Sequence, residues 1–265
     1  METRKTLRKL GIKPVKGQNF LTSEVTVEAL VEAGEVENKK VLEIGAGTGA
    51  ITGKLAEKAE KVYAVENNSV LAKHLKEEFE GSNVEVVEQD ILEFDFDQEI
   101  DRCVSNIPFH LSSEIIEKLG QKQIQSALII QDDLADRVVA EPGESDYGRF
   151  TVLANYYFIP VKLRTVPGSS FEPSPDVEAA IVKLYPNEER HGVGDREFFF
   201  KIVRALFTHK RKKVRNAFVD ARHILEIEKD DAKEIRDDLP HSEKRVNQLE
   251  IIELKEIAEF LSESL

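Results

Sequence analysis

Short runs rich in β-branched residues alternate with helical stretches along the first half of the chain, and this alternation constrains the fold most strongly. The runs Lys40–Ile44 and Lys61–Val65 read KVLEI and KVYAV, a pattern typical of buried strands. Further strands are predicted at 84–87, 102–105 and 127–131, and helices at 23–34, 49–59, 69–80, 112–119 and 132–140. Strands and helices that alternate at this pace predict a doubly wound, Rossmann-like α/β fold with a parallel sheet.

The rest of the chain predicts a sheet edge and then a second domain. The runs Val161–Val166 and Ala179–Leu184 have no clear helix between them, so we expect an antiparallel pair at the edge of the sheet. The polar segment Pro186–Asp195 is interpreted as a linker, and only helical spacing follows it, at 195–208, 212–221, 230–237 and 247–263. The predicted domains are an α/β domain with a basic N-terminal arm, residues 1–186, and a small all-helical domain, residues 187–265.

Composition favours a soluble chain of a reducing compartment. The 265 residues are 41% hydrophobic, which is enough for a core that needs no disulfides. The single cysteine, Cys103, excludes an intrachain disulfide, and no apolar run approaches the roughly 20 residues that span a bilayer. The basic N-terminus has no apolar stretch behind it and is not a secretory signal. We therefore expect a cytoplasmic protein without membrane partners, and a monomer because no long apolar stripe is present.

The net charge of −13 conceals two basic segments. Residues 1–20 carry six basic side chains against one acidic side chain, and residues 201–223 carry eight against one. Phosphate contacts are local, and salt screens charges over about 8–10 Å. An acidic protein with two such segments can therefore bind a nucleic acid, although a solvated helix face is the alternative interpretation of either run.

A glycine-rich loop, Gly45–Gly49 (GAGTG), follows the first predicted strand and precedes a helix. Glycines let the backbone turn tightly and approach a ligand closely. Glu66 ends the second strand, where its carboxylate can accept hydrogen bonds from both hydroxyls of a ribose. Asp90 ends the third strand and can accept from an adenine amine, while the N–H of Ile91 meets a ring nitrogen. A dinucleotide fingerprint and a plain tight turn are alternatives, but the G-x-G-x-G spacing with two acids at one sheet edge favours S-adenosylmethionine.

The fourth predicted strand ends in Asn106, Ile107, Pro108 and Phe109, at the same sheet edge. An aromatic amine is a poor nucleophile because its lone pair is delocalised into the ring. If the Asn106 side chain and the Ile107 carbonyl accept its two hydrogens, the nitrogen can pyramidalise and direct its lone pair at a methyl donor. Pro108 fixes the turn, and Phe109 can stack on the base with about 1–3 kcal/mol. We expect catalysis by positioning and electrostatics; an ordinary strand-to-loop turn is the alternative.

Motifs for other chemistries are missing from the sequence. The six histidines are scattered and the single cysteine gives no zinc spacing, so no metal is expected. The chain has no G-K-[ST] phosphate loop at the required spacing and no G-x-S-x-G nucleophile elbow. Phosphate-loop and serine-hydrolase functions are therefore not supported.

Taken together, these motifs resemble those of the rRNA adenine dimethyltransferases over nearly the whole chain. Gly17–Leu21 (GQNFL) is similar to the N-terminal motif of that family, and Phe171–Val177 (FEPSPDV) to its F-x-P-x-P-x-V motif. The resemblance implies a Rossmann-like methyltransferase domain, S-adenosylmethionine as methyl donor, and two transfers to one adenine amine. It implies that Phe109 and Phe171 flank the target adenine. It also implies donor contacts from Gln18, Asn19, Leu21, Gly45, Gly47, Glu66, Asp90, Ile91 and Asn106.

Two branches of this family have to be distinguished. One dimethylates two adjacent adenines near the 3′ end of small-subunit rRNA during ribosome assembly, and the other modifies one large-subunit rRNA adenine and confers antibiotic resistance. The segments 140–149 (AEPGESDYGR) and 205–217 (ALFTHKRKKVRNA) resemble the small-subunit branch, and the second is most similar to archaeal members. This branch implies the pre-small ribosomal subunit as partner. We expect its rRNA to be bound by Lys210, Arg211, Lys212, Lys213 and Arg215.

Three alternatives stay open from the sequence. Residues 106–109 carry isoleucine and phenylalanine where many small-subunit enzymes carry leucine and tyrosine, and residues 18–23 (QNFLTS) are also similar to the resistance branch. A large-subunit rRNA methyltransferase is therefore the first alternative. A non-catalytic ribosome assembly factor is the second, and a small-molecule or DNA methyltransferase on the same fold is the third.

Overall fold

The computed structural model describes residues 3–15, 17–188 and 193–264. The chain forms two compact units, one of residues 1–135 and 159–186, the other of residues 136–158 and 187–265. The later division, between Pro186 and Asn187, lies where the sequence analysis divides the chain. Residues 136–158 require a correction, because they belong to the second unit although the sequence analysis assigned them to the first. Residues 189–192 of the predicted linker lie outside the described residues.

The first unit contains a parallel sheet completed by an antiparallel strand. The described strands are β1 (Phe20–Leu21), β2 (Lys40–Ile44), β3 (Lys61–Glu66), β4 (Val84–Glu88), β5 (Arg102–Asn106), β6 (Gln125–Gln131), β7 (Phe158–Val166), β8 (Phe171–Glu172) and β9 (Ala179–Pro186). Seven of these described strands form one sheet in the order β4-β3-β2-β5-β6-β9-β7. The pairs from β4 to β6 are parallel, and β9 runs antiparallel to β6. The chain reverses its direction of travel across the sheet between β2 and β5.

Apolar runs place the central strands in the interior. Val41 and Leu42 on β2 and Val62 on β3 are fully buried, as expected for strands covered on both faces. The described helices of the first unit are α1 (Thr3–Lys9), α2 (Glu24–Gly34), α3 (Ala50–Ala56), α4 (Ser69–Glu78) and α5 (Ser112–Gln121), and α6 (Asp132–Val139) begins in it. Side chains cap two helix starts: Ser23 accepts from the N–H of Thr26, and Asn68 from those of Val70 and Leu71.

The predicted α/β fold is confirmed, and no predicted element end shifts by more than four residues. The two edge runs are neighbours in the sheet as expected, with β9 between β6 and β7. The basic N-terminal arm contains a helix, α1, and ends in β1, which pairs antiparallel with β8. Neither two-residue strand was predicted, because so short a segment shows no periodicity.

The second unit is helical within the described residues. Its helices are α7 (Arg149–Tyr157), α8 (Arg196–Phe207), α9 (Val214–Leu225), α10 (Lys229–Ile235) and α11 (Ile251–Ser264). The Tyr156 ring on α7 lies 5.7 Å from Phe199 and 5.1 Å from Phe200 on α8, measured between ring centroids. These aromatic contacts explain why residues 136–158 join the second unit, since such rings bury large apolar areas. No described helix of the chain combines the length and apolar character needed to cross a membrane.

Candidate functional site

A cavity of about 350 Å³ lies in the first unit at the carboxyl ends of β2, β3 and β5. Doubly wound sheets bind ligands at this edge, next to the point where the strand order reverses. Most of the predicted site residues line the cavity: Gln18, Asn19, Leu21, Gly45, Gly47, Glu66, Asp90, Asn106, Ile107, Pro108 and Phe109. Ile91 and Phe171 are not among the lining residues. The structure therefore brings together segments that are far apart in the chain, as the sequence analysis expected.

The glycine-rich loop needs glycine for two physical reasons. Gly45 and Gly47 have φ values of +70° and +57°, which side chains with a Cβ rarely adopt. A Cβ on Gly47 would also lie 3.2 Å from the ring of Phe20. The loop is anchored where the N–H of Gly45 donates to the carbonyl oxygen of Val65 at 2.8 Å. Gly45 and Gly47 both line the cavity, so a ligand there can approach their backbone closely.

Glu66 is a buried carboxylate held by backbone N–H groups, with 6% of its surface exposed. Its Oε2 accepts from the N–H of Gly47 at 2.8 Å, and its Oε1 accepts from the N–H of Asn68 at 2.9 Å. Burial raises the pKa of Glu66 above its ordinary value, while these N–H bonds oppose the rise. Each carboxylate oxygen can accept a further hydrogen bond, so Glu66 can receive two hydroxyls from a ligand.

Asp90 and Ile91 form the start of a tight turn after β4. The Oδ1 of Asp90 accepts from the N–H of Leu92 at 2.8 Å, and within the described part of the chain no donor is paired with Oδ2. The Ile91 side chain is buried, which explains its absence from the cavity lining. Its backbone N–H, the group that carried the prediction, has no acceptor among the described residues. A free acceptor and a free donor on adjacent residues match the edge of an adenine.

The Asn106 side chain is fixed by a segment far away in the sequence. Its Nδ2 donates to the carbonyl oxygen of Asn19 at 2.8 Å. Its Oδ1 is buried, and no donor among the described residues reaches it. A buried acceptor without a partner is costly and uncommon, so it indicates a ligand group that donates there. The neighbouring Ser105 accepts from the N–H of Ile44 at 2.7 Å, which holds the end of β5 against β2.

Phe109 and Phe171 do not play equivalent parts in the structure. Phe109 begins a 3-10 turn, Phe109–Leu111, and its half-buried ring lines the cavity. Phe171 is only 1% exposed and belongs to the core cluster against which Phe109 packs. The place of Phe171 beside the target base therefore stays a prediction. The pairing of β1 with β8 sets Phe171 opposite Leu21, which lines the cavity.

Three residues that support the cavity were not singled out from the sequence. Thr3 is buried, and its Oγ1 donates to the carbonyl oxygen of Leu21 at 3.1 Å. The hydroxyl of Thr48 lies 3.4 Å from that of Thr3, so α1 contacts both the N-terminal motif and the glycine-rich loop. Phe20 packs on Gly47, as described above. These contacts join residues 18 to 45 positions apart, and no local pattern signals them.

The basic segment expected to bind rRNA is in the second unit, and most of its charges have partners there. Lys210 Nζ donates to the carbonyl oxygens of Ser145 and Tyr147 at 2.8 and 3.0 Å. The other paired cations are Lys212 with Asp220 at 2.7 Å, Lys213 with Glu243 at 2.5 Å, and Arg215 with Glu243. Arg211 is exposed, and its side chain has no partner in the part of the chain that the structure describes.

The described residues contain no group of three potential metal ligands.

Comparison with known proteins places this arrangement in a family. Residues 11–261 match the family described as "Ribosomal RNA adenine dimethylase". The chain belongs to this family. It is 36% identical over 267 residues to the "Probable ribosomal RNA small subunit methyltransferase A" of Thermococcus sibiricus, covering 98% of this chain and 96% of the relative. A protein of the same name from Methanopyrus kandleri is 40% identical over 239 residues, covering 88% and 86%.

Solved structures of this dimethylase family and its relatives are also similar. The dimethyladenosine transferase from Plasmodium falciparum has a TM-score of 0.81 and 28% identity, covering 93% of this chain and 98% of that one. The 23S rRNA methyltransferase ErmE has a TM-score of 0.65 and 24% identity, covering 92% and 100%, a likeness that shows the fold. The chain is thus an S-adenosylmethionine-dependent rRNA adenine dimethylase, and the predicted family, enzyme class and methyl donor are confirmed.

Proposed function

We propose that this dimethylase transfers two methyl groups to each of two adjacent adenines near the 3′ end of small-subunit rRNA during ribosome biogenesis. The observation that carries the methyl-transfer step is the buried Oδ1 of Asn106, which lines the cavity and has no donor among the residues that the structure describes. The small-subunit assignment is supported by the names of the archaeal relatives and by the segments 140–149 and 205–217. A cytoplasmic monomer is the form that we propose for the enzyme.

The donor site fits S-adenosylmethionine in its hydrogen-bonding groups. When bound, this donor supplies an electrophilic methyl group. Glu66 would accept from the ribose hydroxyls with the lone pairs that Gly47 and Asn68 leave unused. Asp90 Oδ2 and the N–H of Ile91 would bind the adenine edge. The remaining donor contacts that we propose come from Gln18, Asn19, Leu21, Gly45, Gly47 and Asn106.

The catalytic segment would position the target amine. Asn106 Oδ1 and the carbonyl oxygen of Ile107 each accept one amine hydrogen, which localises the nitrogen lone pair. Pro108, with φ −58° and ψ 120°, fixes the backbone that carries this carbonyl. Phe109 supplies the ring on which the adenine stacks. No general base among these residues is required, because the methylated amine loses its proton readily. The rate enhancement comes from positioning and from preorganised acceptors.

In the second unit, we propose that the basic segment, 209–215, contacts rRNA phosphates. Arg211 is the residue of this segment whose charge is not already paired within the described chain, so it is the best placed for such a contact. Lys210 instead fixes the backbone at Ser145 and Tyr147. The remaining cations would have to leave their carboxylate partners before they could bind a phosphate; these are Lys212, Lys213 and Arg215.

The test is transfer of labelled methyl from S-adenosylmethionine to unmethylated small subunits and, separately, to unmethylated large-subunit rRNA. We expect dimethyladenine on the small subunits and no label on the large-subunit rRNA. Label on the large-subunit rRNA alone would assign the enzyme to the resistance branch. Tight binding to the particle without any label would make the chain a non-catalytic assembly factor.

A further inference from the structure

Lys118 on α5 holds the turn that follows Asp90. Its Nζ donates to the carbonyl oxygen of Ile91 at 3.0 Å and to that of Leu92 at 2.6 Å. The same ammonium lies 5.4 Å from the centroid of the Phe96 ring, within the range of a cation–π contact. Lys118 does not line the cavity, and no sequence motif singled it out. Three contacts from one side chain to a stretch of six residues indicate a specific structural task.

The bonds act on the peptide group that orients Asp90. The carbonyl of Ile91 and the N–H of Leu92 belong to one planar peptide unit. Lys118 binds the oxygen of this unit, and the N–H at its other end donates to Asp90 Oδ1 at 2.8 Å. By fixing the plane of the Ile91–Leu92 peptide, Lys118 therefore fixes the direction in which the N–H of Leu92 points at the Asp90 carboxylate. The peptide just before it carries the N–H of Ile91, so both groups assigned to the adenine depend on this geometry.

Helix α5 connects this turn to the catalytic segment. The helix begins at Ser112, whose hydroxyl donates to the carbonyl oxygen of Phe109 at 3.0 Å. Ile115, Ile116 and Leu119 bury its apolar face, so the helix is a fixed support. Lys118 stands less than two turns from Ser112 along this support. One rigid element thus contacts both the residues that hold the target base and the residues that hold the donor.

We propose that Lys118 is a positioning residue that sets the adenine specificity of the donor site through the Ile91–Leu92 peptide. The inference rests on the proposed function, in which Asp90 and Ile91 bind the donor adenine. Burial lowers the pKa of Lys118, with the carboxylates of Asp95 and Asp90 opposing the change. The ammonium is thus partly desolvated beside the two carbonyls, where its hydrogen bonds are stronger than at an exposed surface.

The experiment compares the binding of two nucleosides attached to the same amino acid. S-adenosylhomocysteine carries a 6-amino group, from which Asp90 would accept a hydrogen bond, and a bare ring nitrogen N1. S-inosylhomocysteine carries an oxygen at position 6 and a hydrogen on N1. We expect the wild-type protein to prefer the adenosyl compound by roughly tenfold or more, because the inosyl compound mismatches at least one hydrogen bond of the site. Lys118→Met should reduce that preference severalfold by weakening adenosyl binding alone, and Lys118→Arg should restore part of it. Isothermal titration calorimetry measures both dissociation constants.

Lys122→Met is the matched control. Lys122 is the residue that caps the C-terminus of α5, directly after Gln121, and its substitution removes the same charge without affecting these carbonyl contacts. It should keep the wild-type preference. In turnover assays Lys118→Met should raise KM for S-adenosylmethionine and leave kcat within about twofold, a split that general destabilisation does not produce. Lys118→Gln provides a second variant that keeps a polar end if the methionine variant does not fold. An unchanged preference in a folded Lys118 variant would overturn the inference.

Asp90→Asn separates the inference from the proposed function. If this variant loses the preference and Lys118→Met keeps it, only the role of Lys118 is wrong. If Asp90→Asn keeps the full preference, the assignment of Asp90 to the donor adenine is wrong and the inference falls with it. Loss of the preference in both variants, with the Lys122 control unaffected, supports both.

Discussion

Nδ2 of Asn106 and the backbone carbonyl oxygen of Asn19 are joined by a hydrogen bond of 2.8 Å across 87 positions of the chain. The bond determines which end of the amide is free: Nδ2 is used, and Oδ1 is left as a buried acceptor. The N-terminal motif therefore helps to orient the side chain that we propose to be catalytic, in addition to the donor contacts predicted for it. Asparagine meets both requirements because it carries one donor end and one acceptor end.

Asn106→Asp should be nearly as damaging as removal of the side chain, although it keeps an acceptor. A carboxylate cannot donate to the Asn19 carbonyl, and the two oxygens repel each other at this distance. We expect kcat for methyl transfer to fall by about 10²–10³-fold, the usual loss when a preorganised group is misplaced. Single-turnover transfer of labelled methyl to small subunits measures this. Turnover within threefold of the wild type would show that the Asn19 contact is dispensable.

The buried carboxylate of Glu66 should make donor binding depend on pH. Ribose hydroxyls need the ionised carboxylate, and burial raises the pKa of Glu66, so protonation competes at a higher pH than for an exposed glutamate. The dissociation constant for S-adenosylhomocysteine should increase as the pH falls, starting above the ordinary value of 4.5. Glu66→Gln should bind roughly 10–100-fold more weakly at pH 7.5 and lose most of this dependence. An equal pH dependence in variant and wild type would exclude Glu66 as its source.

The raised pKa of Glu43 makes the stability of the fold depend on pH. Its carboxyl is buried, its Oε2 accepts from the Thr52 hydroxyl at 2.6 Å, and burial raises its pKa to about 8. The native state keeps a proton that the unfolded chain releases above about 4.5. The free energy of unfolding therefore decreases as pH rises between these values, by up to about 1.4 kcal/mol per unit. Glu43→Gln imitates the neutral form, so its stability relative to the wild type should increase from pH 5 to pH 8 in urea unfolding. A constant difference would contradict this.

Neighbouring residues of the basic segment, 209–215, should respond differently to substitution. Arg211→Ala should weaken binding to small-subunit rRNA and reduce the slope of log affinity against log salt by about one, because one phosphate contact is lost. Lys210→Ala should mainly lower thermal stability, since its ammonium holds the carbonyl oxygens of Ser145 and Tyr147. Fluorescence anisotropy at several salt concentrations and thermal unfolding provide the two readouts. An unchanged salt slope for Arg211→Ala would remove it from the rRNA contact.

The α/β fold could be predicted because its strands are continuous apolar runs and its helices are periodic. Helix α7 could not: its sequence, RFTVLANYY, contains β-branched and aromatic residues that have modest helix propensity. The Tyr156 ring of this helix packs on Phe199 and Phe200, and this packing stabilises the helical conformation despite its modest propensity. Tertiary contacts therefore decide the conformation. The same contacts move residues 136–158 into the second unit.

The site could be predicted where strand ends determine it. Glu66 and Asn106 end parallel strands of one sheet, so their meeting at one edge follows from the topology. Contacts made by irregular segments could not be predicted. The burial of Phe171 depends on the two-residue pairing of β8 with β1. The hydrogen bond from Lys118 to the carbonyl oxygen of Ile91 joins residues 27 positions apart. Both depend on packing that leaves no local signature in the sequence.

The most direct test of the account is the rate at which Asn106→Ala methylates unmethylated small subunits at saturating S-adenosylmethionine. We propose that Asn106 Oδ1 accepts a hydrogen from the target amine. We therefore expect kcat to fall by about 100-fold or more, while the variant stays folded and still binds the particle. A kcat within twofold of the wild type would contradict the account, because the buried acceptor would then take no part in methyl transfer.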